Sequence, residues 1–398
     1  MRKLQILNIL VGSTLTLSPL TTGCRGTEPV GPALTQDMRD AYAATRQLYS
    51  YVWSDEKFYS SHSEKQISQL LLNLAKDFHR AEIDTPIERF EPGFRVALLT
   101  QQNLLKDAAL RFGEGKKEYA NWRLRGMATN CIACHSRYSA PVNFLGELPQ
   151  VDEEDQQSQF SQAEFLFATR QFDLASDKLY KMADELSRTG RDWHHQLRAL
   201  KLWLVIEVRT KNRPGKSADL LERYSLNADL PNQYKSTLDQ WVFDLREASS
   251  QKGISTDPVT EAEQIIHHLE IEPSLKLDER HLVVTLKATS HLHTYLERET
   301  ELDKRRKATL LLSLAYNHIP LSLFSSFTQQ YLEIVIRDYP HSKESLEAFK
   351  AYEANLLGDL GADGGGKLAP DQVNELKELR KLAYPEASPE ESTQPAFG

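Results

Sequence analysis

The sequence predicts an all-α protein: an N-terminal four-helix bundle followed by an array of α-helical hairpins. Three observations lead there. Apolar residues recur at spacings of three and four along nearly the whole chain, which puts them on one face of an α-helix. Proline and glycine gather between these stretches, as short joins require. The composition is that of an ordinary soluble chain: 398 residues, 40% hydrophobic, 26% charged and 9% aromatic. That length suits two or three domains of about 150 residues each.

The same figures exclude several classes. The chain is not collagenous, not wholly disordered and not a polytopic membrane protein. Its net charge is −8, and no basic stripe is present to neutralise phosphates, so nucleic acid is not an expected partner. There is no P-loop, GxGxxG, GxSxG or HExxH motif.

The first 23 residues read as an export signal. Arg2 and Lys3 form a basic start, and residues 4–20 are apolar but diluted by Ser, Thr and Asn. The run is too short and too polar to span a bilayer comfortably. Thr21-Thr22-Gly23-Cys24 follows and resembles a bacterial lipobox, departing from it at Thr21, where that pattern prefers Leu. The resemblance implies acylation of Cys24 and a lipid anchor on the periplasmic side of the outer membrane. Ordinary signal cleavage nearby is the alternative and leaves Cys24 as an odd thiol. Cleavage before Cys24 removes two positive charges and takes the net charge to −10.

Residues 24–33, with Pro29 and Pro32, suit a tether. The bundle is expected over 34–145. Helix one spans about 36–53, with Met38, Tyr42, Thr45 and Val52 on one stripe; helix two spans about 64–80, with Ile67, Leu71, Leu74 and Phe78. Helix three follows Pro92-Gly93 and stops at Gly113 and Gly115. Helix four spans about 116–138. Pro141, Gly146 and Pro149 end the bundle, and the acidic run Asp152 to Asp155 reads as a linker with a solvated surface. Hairpin regions are expected over 156–250 and 256–384. Residues 163–184 are spaced as in a tetratricopeptide-like hairpin, and Asp338-Tyr339-Pro340-His341-Ser342 resembles the turn of such repeats, although no 34-residue period recurs. The Gly361–Gly366 stretch lacks the Lys and Ser/Thr of a phosphate loop. The tail, 385–398, is rich in Pro, Glu and Ser and is expected to be disordered.

One motif carries chemistry. Cys131-Ile132-Ala133-Cys134-His135 is C-x-x-C-H, the attachment site of c-type haem. On a helix, positions i, i+3 and i+4 share a face. Two thiols there can form thioethers with the haem vinyl groups while the imidazole reaches iron. A redox dithiol would want a βα setting, which the pattern lacks. A zinc half-site would want two more ligands, and no other cysteine is near.

The motif lies on the last of four helices and continues through Ser136 and Arg137 to Tyr138, giving C-x-x-C-H-x-x-Tyr. In this it resembles the class II c-type cytochromes, the cytochrome c-prime group, over roughly residues 34–140. The resemblance implies a four-helix bundle with one covalent haem c, held by Cys131, Cys134 and His135, with Tyr138 beside it. It also implies a sixth iron ligand from helix one, which points to Met38. A methionine on an apolar stripe is as readily core packing. Met182, His79, His62 and an open sixth position are the other readings, while Met127 shares a helix with His135 and cannot reach round the haem. Arg123 and Arg125 could meet haem propionates, but read better as solvent-facing. The pairs His194-His195, His267-His268 and His291 with His293 do not share helix faces and read as surface or packing residues.

Three functions follow. His–Met ligation favours electron transfer to a redox partner, with the hairpin array as docking scaffold. Five-coordinate iron would favour binding of NO or CO. An envelope-assembly scaffold with structural haem is the third. One haem and no acid–base constellation favour a carrier over a catalyst.

Overall fold

The computed structural model describes residues 32–84, 92–137, 156–189, 192–226, 230–250, 257–271, 279–319, 321–362 and 368–384. Every regular element among them is helical, so the all-α expectation holds. The export signal, Cys24, Tyr138, the acidic linker and the tail lie outside the described residues. No helix among the described residues is long and apolar enough to cross a membrane.

Three long helices and a broken fourth come first: α1 (Pro32–Val52), α3 (Glu64–Asp84), α4 (Pro92–Gly113), then α5 (Lys117–Arg125) and α6 (Met127–His135). A short α2 (Asp55–Tyr59) joins α1 to α3; the Ser54 hydroxyl accepts from the Lys57 N–H as its cap, and fully buried Phe58 anchors it. Pro92 starts α4, where a missing N–H costs nothing. The single fourth helix expected over 116–138 is divided at Gly126, whose helical propensity is low. The break lets α6 leave the line of α5.

The remaining helices are α7 (Gln156–Ala168), α8 (Phe172–Thr189), α9 (Trp193–Val205), α10 (Pro214–Ser225), α11 (Asn232–Ser250), α12 (Pro258–Ile271), α13 (Leu282–Leu296), α14 (Leu302–Asn317), α15 (Leu321–Asp338), α16 (Lys343–Ala362) and α17 (Pro370–Ala383). A π-helical turn, Ile206–Thr210, continues α9, and a 3-10 turn, Glu279–His281, leads into α13. Most consecutive helices pack as neighbours: α7 with α8, α8 with α9, α10 with α11, and each pair from α12 with α13 to α16 with α17.

Two apolar cores meet at α6. Met127 belongs to the core of α1, α3, α4 and α5, with Leu48, Leu71, Leu105 and Phe112. Ala128, Ile132 and Ala133, on another face of α6, belong to the core of the later helices, with Phe167, Leu200 and Leu332. Cys134 packs against both. Helix α15 also returns to pack on α4 and α6. Arg95 pairs with Asp338 at 2.7 Å, and Arg137 Nη1 donates to the Tyr331 hydroxyl at 2.6 Å. A fully buried Leu or Phe contributes about 1.5–3 kcal/mol, so these shared apolar contacts outweigh the ion pair, which is exposed by about a third on each side.

Candidate functional site

The C-x-x-C-H motif opens onto an apolar cleft. Met38, Ala41, Tyr42 and Thr45 line it from one face of α1, following the helical period. Phe78 comes from α3, and Phe94, Ala97, Leu98 and Gln101 from α4. Asn130, Cys131, Cys134 and His135 come from α6, and Ala168 and Thr169 from the end of α7. Cys131, Cys134, His135 and Met38 therefore border one space.

About 680 Å³ is unfilled when counted out to the mouth, of which about 70 Å³ admits a whole water molecule. The walls thus lie close together. A flat macrocycle would enter between them by turning aside side chains such as Met38, whose three rotatable bonds make that inexpensive.

The imidazole of His135 is oriented by the chain. Its Nδ1 lies 2.5 Å from the carbonyl oxygen of Ala168, so the ring donates from Nδ1 and leaves Nε2 as its lone-pair nitrogen. Iron-bound and zinc-bound histidines are fixed in the same way, through a backbone carbonyl or carboxylate on the other nitrogen. Burial, and secondarily the nearby Arg170 guanidinium, push the His135 pKa down to about 3, so the ring is neutral at ordinary pH. A neutral imidazole is the ligating form. Burial, with the neighbouring Cys134, pushes the Cys131 thiol up to about 12.

The carbonyl and the cation come from one turn. Arg170 holds a left-handed backbone conformation, φ 63°, which an arginine adopts at a cost. The turn is tied back by Gln171 N–H to the Leu166 carbonyl, and the Thr169 hydroxyl caps Phe165 and Leu166 carbonyls. Aromatic packing seats α7 against α1: Phe165 lies 4.8 Å from Tyr49 and 6.2 Å from Tyr42, ring centre to ring centre. The Tyr49 hydroxyl donates to the Ser161 carbonyl at 2.5 Å.

Two polar groups inside the cleft had no sequence signal. Asn130 Nδ2 donates to Gln101 Oε1 at 3.1 Å. The Gln101 Nε2 donor is buried and has no hydrogen-bond partner, although Gln101 is only 2% exposed. An unmet buried donor costs about 1–3 kcal/mol, so its presence on a cleft wall points to an acceptor supplied by a ligand. Glu164, one turn before Ala168, is also buried; burial raises its carboxyl to about 7 against the pull of Arg198, 3.4 Å away.

Other singled-out residues lie elsewhere. Met127 and Met182 are buried in core packing and do not line the cleft. His62 is exposed, and His79 borders a surface hollow beside Arg80. Arg123 pairs with Asp107 at 3.1 Å and Arg125 with Asp55 at 3.0 Å, away from the cleft. Asp192 caps the start of α9, accepting from the His195 N–H at 3.1 Å and meeting the His195 ring Nδ1 at 2.5 Å; His291 meets Glu261 at 3.1 Å, and buried His293 contacts the Tyr316 hydroxyl at 2.9 Å. Among the described residues, no three His, Cys, Asp or Glu side chains are grouped to hold a metal ion. A zinc reading of the motif therefore gains no further ligands there.

No protein-family model matches this chain, and no curated protein or solved structure matches it.

Proposed function

We propose that this chain is an exported c-type cytochrome carrying one covalent haem, anchored through Cys24 and transferring electrons to a redox partner in the bacterial envelope. The observation that carries the reading is the 2.5 Å contact from His135 Nδ1 to the Ala168 carbonyl within a C-x-x-C-H motif. It leaves Nε2 free to ligate, and His135 lines the same apolar cleft as Cys131, Cys134 and Met38. The residues fit the group: two thiols for the vinyl carbons, a neutral imidazole, and apolar walls for the macrocycle.

When bound, haem would supply one-electron chemistry. The chain would supply attachment through Cys131 and Cys134, and an imidazole nitrogen from His135. Met38, flexible and on the α1 wall, would supply a thioether, and His–Met ligation favours electron exchange over ligand binding. The apolar side chains around them would keep water from the site. The later helices would then serve as scaffold for a partner.

Gln101 favours a second reading. Its unpartnered amide donor on the cleft wall would suit an acceptor atom of a small bound molecule such as NO or CO at an open iron.

An absorption spectrum of the purified, reduced protein tests both. Sharp low-spin α and β bands that disappear in Met38→Ala support electron transfer. A broad high-spin spectrum that sharpens with CO overturns the Met38 assignment and supports the second reading. Absence of covalently attached haem overturns both.

A further inference from the structure

A second groove lies where α11, α12 and α13 meet, and it shares no lining residue with the haem cleft. Asp244 and Glu247 face it from one side of α11, and Ile265 and Leu269 line it from α12. Val283 and Val284 close its apolar wall from α13.

The charges in this groove do not balance. On its positive side, Lys287 is committed to Glu261 at 2.7 Å, and the other basic groups on the lining are the imidazoles of His268 and His281. Asp244 is only 5% exposed, and one of its oxygens, Oδ1, accepts from Gln240 Nε2 at 2.8 Å. The other, Oδ2, is buried without any hydrogen-bond partner. Glu247, one turn along, is exposed and makes no ion pair among the described residues. Its repulsion and, more strongly, burial push the Asp244 carboxyl up to about 6. A buried carboxylate oxygen is retained cheaply only when a donor meets it. Among the described residues no donor meets it. Phe243, 61% exposed at the same rim, offers an aromatic face.

We propose that this groove docks a basic side chain, lysine or arginine, projecting from a segment of a partner protein. The cationic head meets Asp244 Oδ2 with Glu247 beside it. The methylene stem lies along Ile265, Leu269 and Val284, as long cationic side chains do on apolar surface. Phe243 covers the entering chain and adds a cation–π contact. The groove measures about 1060 Å³ out to its mouth, so a side chain enters with peptide backbone running outside it. The assignment is independent of the haem reading, because no group of the cleft takes part.

The test is calorimetric titration of the full chain with a capped peptide of alternating alanine and lysine. The alternating alanine–glutamate peptide and n-butylammonium serve as comparisons. Binding of the lysine peptide, weakened about tenfold or more in Asp244→Asn and weakened in Phe243→Ala, supports the proposal. Asp244→Asn keeps the Gln240 bond and shape, and Phe243 is a surface residue, so both variants retain the fold; a thermal melt confirms it. No binding of the lysine peptide at about 1 mM, or equal binding by wild type and Asp244→Asn, overturns it. Equal binding of the glutamate peptide also overturns it. Butylammonium binding as tightly as the peptide would overturn the partner-segment part and leave a small-amine site.

Discussion

His135 Nδ1 and the carbonyl oxygen of Ala168 stand 2.5 Å apart, although 33 residues separate them in sequence. The bond joins the last turn of α6 to the last turn of α7. The last residue of the C-x-x-C-H motif is thus oriented by α7. His135→Ala removes the donor and leaves that carbonyl unmet in a buried position, an expected loss of about 1–3 kcal/mol. Urea denaturation of the haem-free chain measures it. A loss indistinguishable from zero would mean that water replaces the imidazole.

The turn that supplies this carbonyl depends on Arg170 at φ 63°. Asparagine tolerates that conformation and a β-branched residue does not. Arg170→Val is therefore expected to be less stable than Arg170→Asn by about 1–2 kcal/mol, from the left-handed backbone penalty alone. Comparing the two variants cancels the loss of the guanidinium, which both share. Equal denaturation midpoints would show that the turn refolds into another conformation.

Glu164 gives the fold a pH dependence with a definite sign. Its carboxyl is raised from 4.5 to about 7, chiefly by burial. The folded protein then binds the proton more tightly than the unfolded chain. The stability linked to this group is fully present below pH 4.5 and is lost as pH rises through about 7. The total is about 3 kcal/mol at 1.36 kcal/mol per unit. Glu164→Gln should keep an acceptor for Arg198 and remove this loss. The difference in unfolding free energy between wild type and variant, followed from pH 4 to pH 8, should widen in favour of the variant. A constant difference would show that Glu164 ionises freely.

Part of the site was legible in sequence because it is local. Cys131, Cys134 and His135 share a helical face by spacing alone, and Met38 falls on the α1 stripe that lines the cleft. The all-α class was equally plain from the periodicity. Other features depend on contacts that no local pattern encodes. The Ala168 carbonyl is a backbone group and carries no residue signature. Gln101 and Asn130 meet only because α4 and α6 pack together, 29 residues apart in sequence. The division of the fourth helix turns on Gly126, and a lone glycine in a helical pattern is compatible with an unbroken helix. The turn read at Asp338–Ser342 lies between α15 and α16, and a second break falls before α11 at Asn232. Proline at 231 and at 340 removes a backbone donor at each break.

Phe165 tests how far the two cores act as one. It is 1% exposed and packs on Tyr42 and Tyr49 of α1 from within α7. Phe165→Ala is expected to cost about 3–5 kcal/mol. Arg95→Ala, which breaks a pair exposed by a third on each side, should cost about 0.2–1 kcal/mol. If the aromatic contact couples the regions, Phe165→Ala should also split the thermal unfolding of the full chain into two transitions. A single, merely shifted transition would place the coupling in α6 and α15 instead.

Two methionines separate packing from ligation. Met127 is 1% exposed in the core of α1, α3, α4 and α5, whereas Met38 is part-buried and faces the cleft. In the haem-free chain, Met127→Ala should cost about 2–5 kcal/mol through the cavity it leaves. Met38→Ala removes a side chain that already borders open space, so little of that cavity penalty applies and the cost should stay below about 1.5 kcal/mol. If the chain carries haem as proposed, the order of spectral effects reverses. Met38→Ala should convert low-spin bands to high-spin, while Met127→Ala should leave them in place. Unchanged bands in Met38→Ala, with the stability difference as expected, would assign Met38 to the cleft wall and remove it from the iron.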